Sequence, residues 1–197
     1  MRKKSKLPVK DRLVVTAYDL FVKNGIGAVG IDKVLEKSAS AKASLYAHFH
    51  SKADLALETM RRREVLWTRG WLEHEISERA RTPGARLLAV FDVFDEWFQR
   101  GDFEGCYFIN VLLEFHGRER ERRAAVGHLA VIRGIIRDLA IAEDLSKPAQ
   151  FAEIWHILMK GSIVAAGEGN RGAALDAKRA ARLVLDGWPR EPAPGKH

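Results

Sequence analysis

Apolar side chains recur along this 197-residue chain at the spacing of one buried helix face, and no stretch of useful length alternates as a strand would. Leu13, Ala17, Leu20 and Phe21 define a first helix from about Lys10 to Asn24, which Asn24-Gly25 stops. Two short helices follow, Ile31 to Lys37 and Ala41 to Phe49, separated by Ser38-Ala39-Ser40. Ser51 is a good N-cap, with Asp54 in a capping-box-like position, and the pattern then runs through Met60, Trp67, Trp71, Leu72 and Ile76 to about Arg79. Thr82-Pro83-Gly84 opens a helix that reaches about Arg100, with Pro at its first turn. After the Gly101–Gly105 break the pattern predicts helices over Cys106 to Phe115, from the charged run Arg118–Arg123 to about Ala142, from after Ser146 to about Gly167, and from Ala173 to about Asp186. The expected fold is all-α. Residues 1–9 read as a flexible basic arm, and 189–197 as a disordered tail too rich in Pro and Gly to fold.

Two short helices on so tight a turn make a helix-turn-helix. On the second of them Leu45 and Phe49 share the buried face, with Ala41 one turn earlier. The opposite face carries Ala43, Ser44 and Ala47, flanked by Lys42, Tyr46 and His48. It is small, polar and without an acid, so nothing on it repels phosphate. Small side chains let a helix sit deep in a major groove. Ser44 can bond a base edge, while Lys42, Tyr46, His48 and Lys52 can hold backbone phosphates of double-stranded DNA.

Charge sharpens this reading. Residues 1–52 hold 11 Lys and Arg against 4 Asp and Glu, so they carry the chain's whole net charge of +7, and the remaining residues balance at 22 and 22. A charge held for solubility would be spread along the chain, whereas one concentrated at the helix-turn-helix fits a polyanionic partner. The arm is either a solvated tail or a DNA-touching extension. One cysteine, Cys106, excludes an intramolecular disulfide and suits a reducing compartment. No signal peptide or membrane-length apolar run is present, and a cytoplasmic protein is expected.

The run Ala41-Lys42-Ala43-Ser44-Leu45-Tyr46-Ala47-His48-Phe49, with Ser51-Lys52 and Leu55, resembles the recognition helix and following helix start of the TetR family of bacterial transcriptional regulators. The resemblance extends upstream through Ala17, Phe21, Gly25, Ile31 and Val34. Ala39 and Ser40 depart from it, standing where such regulators usually have Gly and an apolar residue, which implies a more strained turn. The resemblance implies a DNA-binding domain over 1–55 joined by the fourth helix to a ligand-binding and dimerisation domain over 56–188. It also implies a repressor that acts as a homodimer on a palindromic operator and is released by a small effector.

The C-terminal half is less specific. Phe94, Trp97, Phe98, Tyr107, Phe108, Trp155 and Met159 are ordinary core residues by type, and the resemblance adds that such helices enclose an apolar effector pocket. We expect these residues and Cys106 to line one, with Glu114 or His128 as polar anchor, for an apolar, aromatic or electrophilic ligand. Glu114 and His116 lie two apart on different helix faces, so no metal site is expected, nor any cofactor. Cys106 follows a Gly at a helix start, where the dipole favours thiolate, and Gly105-Cys106 with Glu114 resembles TetR-type electrophile sensors. A buried inert thiol is the alternative. An enzyme using Cys106 is the rival function, though no motif assembles a nucleophile, base and orienting acid. The last helix is apolar around more than one stripe, at Ala173, Leu175, Ala177, Ala180, Leu183 and Val184 among others, so the homodimer is expected through the last two helices.

Overall fold

Helix α1, Val9–Asn24, buries Leu13, Val14, Ala17 and Phe21 on one face, as the periodicity predicts. The computed structural model describes residues 7–116 and 119–191. Residues 1–6 of the basic arm, Gly117 and the first residue of the charged run, Arg118, and 192–197 of the tail lie outside the described residues. The next elements are α2 (Ile31–Ser38), α3 (Lys42–Tyr46) and α4 (Lys52–Arg63), then a π-helical segment, Glu64–Glu73, and α5 (His74–Arg79). After them come α6 (Pro83–Gln99), α7 (Tyr107–Glu114), α8 (Arg120–Ala142), α9 (Pro148–Gly167) and α10 (Ala173–Gly187). The fold is all-α, and among the described residues β pairing is limited to an isolated bridge between Leu145 and Arg190.

Packing divides the chain into two compact units, Met1–Val65 with Cys106–His128 and Leu66–Gly105 with Leu129–His197. Helix α1 packs along α4, and the first unit runs on to Val65. The buried Tyr107 hydroxyl meets Thr59 Oγ1 at 2.9 Å, which brings α7 into that unit. Its core is built from Leu13, Phe21, Ile26, Val34, Leu45, Leu55 and Met60, all at most 2% exposed.

In the second unit α10 packs against α6 and α9, and α5 against α6. Thr82 caps α6 by accepting from Ala85 N–H at 3.3 Å, as its position before Pro83 predicts. The tail is ordered further than its composition suggests. Trp188 donates its indole N–H to Ser146 O at 2.7 Å and sets its ring on edge against Phe151, while Glu191 N–H bonds Asp144 O at 2.8 Å. An aromatic anchor thus overrides a Pro-rich local sequence.

Candidate nucleic-acid interface

The turn between α2 and α3 is set by Ala39, which caps α2 in the left-handed region at φ 48° and ψ 47°. An L-residue there costs about 1–2 kcal/mol, so the turn needs support. Two backbone bonds supply part of it, Ala39 N–H to Glu36 O at 3.2 Å and Ser40 N–H to Leu35 O at 3.1 Å. Arg12, reaching from α1, supplies more: its Nε donates to Ser38 O at 2.8 Å and its Nη2 to Ser40 Oγ at 3.4 Å. Sequence reasoning missed Arg12, because nothing local marks a side chain that acts 26 residues away.

Regular helix in α3 covers only Lys42–Tyr46, but Phe49 N–H still bonds Leu45 O at 2.9 Å and closes the turn. Leu45 and Phe49 are buried, which orients the helix as the wheel predicts. Ala41, expected beside them, is exposed instead, because its N-cap backbone is extended. Lys42, Ala43, Ala47 and His48 are exposed, Ser44 is half-buried, and Tyr46 is 47% exposed, high for an aromatic ring. The predicted reading residues are thus exposed or half-buried along α3 and the turn that follows it, a stretch without an acid.

Lys52 opens α4 beside this face, and its Nζ donates to Gly27 O at 3.1 Å, leaving two ammonium donors. Ser51 Oγ accepts from Asp54 N–H at 3.1 Å. The Asp54 carboxylate sits below its ordinary pKa through its hydrogen bond with Ser51 and then through Arg120, whose Nη1 is 2.8 Å away. Arg122 donates to Leu112 O at 2.8 Å and Phe115 O at 3.1 Å, satisfying the end of α7. The charged run expected to be a solvated face is thus partly structural.

Residues grouped by sequence as a single effector pocket fall into both units. In the first, Glu114 accepts from Ile26 N–H at 2.9 Å and from Gly27 N–H, so its carboxylate serves the α1–α2 loop. His128 pairs with Glu64 and stacks on Phe108, the ring centroids 4.9 Å apart. Tyr107 sets its ring on edge against Tyr18, and burial pushes its phenol up. Cys106 is 6% exposed, and its thiol is raised chiefly by burial, the reverse of the thiolate expected from the helix dipole. In the second unit Phe94, Trp97 and Phe98 pack with Trp67 and Phe103, while Trp155 stacks on Phe151 and Met159 is buried. Among the described residues no cluster of three or more His, Cys, Asp or Glu could hold a metal, and no helix is long and apolar enough to cross a membrane.

The N-terminal domain model of the bacterial regulatory proteins of the tetR family matches residues 13–59. Over 68 residues the chain is 35% identical to the HTH-type transcriptional regulator QacR of Staphylococcus aureus, a match covering 34% of this chain and 36% of that protein. The chain thus spans about a third of that relative's length. An HTH-type transcriptional regulator in the lacX 3′ region of Lactococcus lactis is 25% identical over 140 residues, 70% of this chain and 68% of the relative. A solved structure of a TetR-family transcriptional regulator from Streptomyces coelicolor superposes with a TM-score of 0.79 at 21% identity, covering 90% of this chain and 94% of its own.

Proposed function

We propose, since this chain belongs to the TetR family of bacterial regulatory proteins, that it is a DNA-binding transcriptional regulator, a homodimeric repressor released from a palindromic operator by a small effector. The observation that carries the reading is the open, acid-free face of α3, a helix with Tyr46 exposed that follows directly on the turn Arg12 braces. A tyrosine this exposed, one helical turn from Lys42, suits a phosphate or sugar contact.

Exposed apolar side chains support the dimer. Ile157 is 60% exposed and Val164 51%, one face of α9 with Gly161 between them, and Leu175 and Leu183 are 40% and 77% exposed on α10. Side chains of that size left in water on two packed helices fit a self-complementary interface. Its two-fold axis would set the half-sites about one helical turn apart. Release requires an effector that binds the two conformations unequally, by about 1–3 kcal/mol for typical coupling. Catalysis through Cys106 is disfavoured, because burial pushes the thiol away from its nucleophilic form.

Operator DNA selected from random sequence, followed by anisotropy titrations, tests the reading. Lys42→Ala and Tyr46→Ala should weaken binding to every sequence, and loss of the Lys42 ammonium should flatten the salt slope by about 0.9 for each phosphate contact removed, one per protomer. Ser44→Ala should instead shift preference at one base pair by about 1–3 kcal/mol. Lys52→Ala should act like Lys42→Ala. Full-strength operator binding by a Tyr46→Ala, Lys52→Ala double variant would refute the phosphate assignment. Sedimentation should show a dimer that Leu183→Glu splits, and a parent protein of one chain's mass would refute the interface.

A further inference from the structure

Between the stretch Arg69–Ser77 and the α8 residues Val131–Leu139 lies a cleft of about 690 Å³, formed within the second unit. That is the size of a small-molecule site, typically ~300–1,000 Å³. None of the aromatic residues expected to enclose an effector lines it. One wall is apolar, with Val131, Ile135 and Leu139 recurring every four residues along α8 and the buried Ile76 also lining the cleft.

The polar lining is unevenly charged. Arg69 lies 3.7 Å from Glu73, and Arg137 lies 2.7 Å from Asp138. Arg86 is different. Its Nε donates to Ala80 O at 2.9 Å, which fixes the guanidinium, and among the described residues no carboxylate pairs with it. Four N–H donors of a half-buried cation remain, and the apolar wall offers them no acceptor. Satisfying the Ala80 carbonyl needs only one of the five donors, so it does not account for the placement of the rest.

Gly134 is a further feature of the lining. It stands inside α8 and lines the cleft, and a Cβ built there would meet no atom within 4 Å. Glycine inside a helix is less stable than alanine by about 0.5–1 kcal/mol. No neighbouring atom requires its absent side chain, and a large side chain at this position would enter the cleft.

We infer that this cleft binds a small organic anion, a carboxylate or sulfonate on an apolar body, with Arg86 holding the anionic group and the Val131–Ile135–Leu139 wall holding the body. A planar guanidinium suits such a group because it can donate two parallel bonds to it. Arg69 and Glu73 belong to the π-helical segment, so a bound ligand bears directly on an element of rare geometry often found at functional sites. Only the consequence for DNA rests on the effector-released reading, and binding itself does not.

The test is fluorescence titration of the full chain with 8-anilinonaphthalene-1-sulfonate and with N-phenyl-1-naphthylamine, which keeps the rings and lacks the sulfonate. The sulfonate should bind saturably at one site per chain and more tightly than the amine. Arg86→Gln should weaken it by about tenfold, some 1.4 kcal/mol, and leave the amine unchanged. Gly134→Leu should block both dyes while melting no lower than the parent. Equal binding of the two dyes, or sulfonate binding untouched by both substitutions in variants that melt like the parent, would overturn the proposal. Arg86-dependent dye binding with undiminished operator affinity would uphold the cleft and overturn a role for it in release from DNA. Release of Gly134→Leu protein from operator by another compound would uphold release and, with dye binding retained in that variant, overturn the cleft.

Discussion

The carboxylate of Glu114, at the end of α7, accepts the backbone N–H of Ile26 at 2.9 Å. The same carboxylate takes the N–H of Gly27, so one side chain fastens the loop between α1 and α2. The glycines on either side of Ile26 leave room for this approach: a Cβ at Gly27 would lie 2.8 Å from Glu114 Oε1, and Gly25 holds φ +80°. Hydrogen bonds to a charged acceptor contribute about 1.5–3 kcal/mol. Glu114→Ala and Gly27→Ala should each lower stability by roughly that amount and weaken operator binding. Because both variants break the same contact, their effects in urea denaturation should fall short of additive by about 0.5 kcal/mol or more. Simple additivity would mean that the carboxylate and the loop are not coupled.

Cys106 should behave as a structural thiol. Burial raises its pKa, and the backbone hydrogen bonds from Ile109 and Phe108 that favour thiolate do not offset this. Each unit of rise cuts the thiolate fraction about tenfold, so native protein should react with N-ethylmaleimide far more slowly than glutathione does. Cys106→Ala should retain operator binding and the response to any inducer. Modification at the rate of a free thiol, with loss of DNA binding, would restore the electrophile-sensor reading.

What the sequence made legible was whatever is decided within a few residues. The α2–α3 unit, the N-caps at Ser51 and Thr82 and the stops at Gly25 and Gly101 depend on local chemistry, and each could be placed from the pattern. Contacts across the chain could not. Glu114 meets Ile26 across 88 positions and Arg12 meets Ser38 across 26, and neither partner is marked by its neighbours. Cys106 was read by its helix start, but tertiary burial reversed the direction of its pKa. The apolar spacing from Glu64 to Glu73 fits an α-helix as well as the observed π-helix, so periodicity alone could not find the change. Gly134 left no sequence signal either, since only the structure shows that its missing side chain lines a cleft.

His156 should make the protein acid-sensitive. It is 2% exposed, and burial, then Lys160 and Arg133, hold its pKa down to about 3. In the unfolded chain the imidazole takes a proton near pH ~6.5, whereas the folded protein keeps it neutral. The unfolded state therefore binds more protons below that value. The associated stability is fully present above about pH 6.5 and is lost by up to ~1.4 kcal/mol per pH unit as pH falls toward the folded value. Between pH 7.5 and 5.0 the parent should lose roughly 2 kcal/mol more than His156→Leu in urea denaturation. Carboxylates titrate in both proteins and cancel from the comparison. Equal losses would mean that His156 is not held neutral.

Ala39 offers a direct measure of how much strain the helix-turn-helix carries. Its φ of 48° places a Cβ against the following carbonyl, at a cost of about 1–2 kcal/mol. Ala39→Gly removes that clash but gives the unfolded chain more freedom, which takes back about 0.5–1 kcal/mol. The expected result is a gain of roughly 0.5–1 kcal/mol with operator affinity unchanged, because α3 keeps its buried Leu45 and Phe49. Ala39→Val should lose stability, since a β-branched side chain is worse still at positive φ. Arg12→Met should also lose stability, about 1–2 kcal/mol, by leaving Ser38 O without its guanidinium donor. If the left-handed turn is what Arg12 braces, Ala39→Gly should lessen the effect of Arg12→Met, and the double variant should recover part of both stability and DNA binding. A glycine at position 39 that lowers stability would show that the turn is unstrained and that Arg12 serves some other purpose.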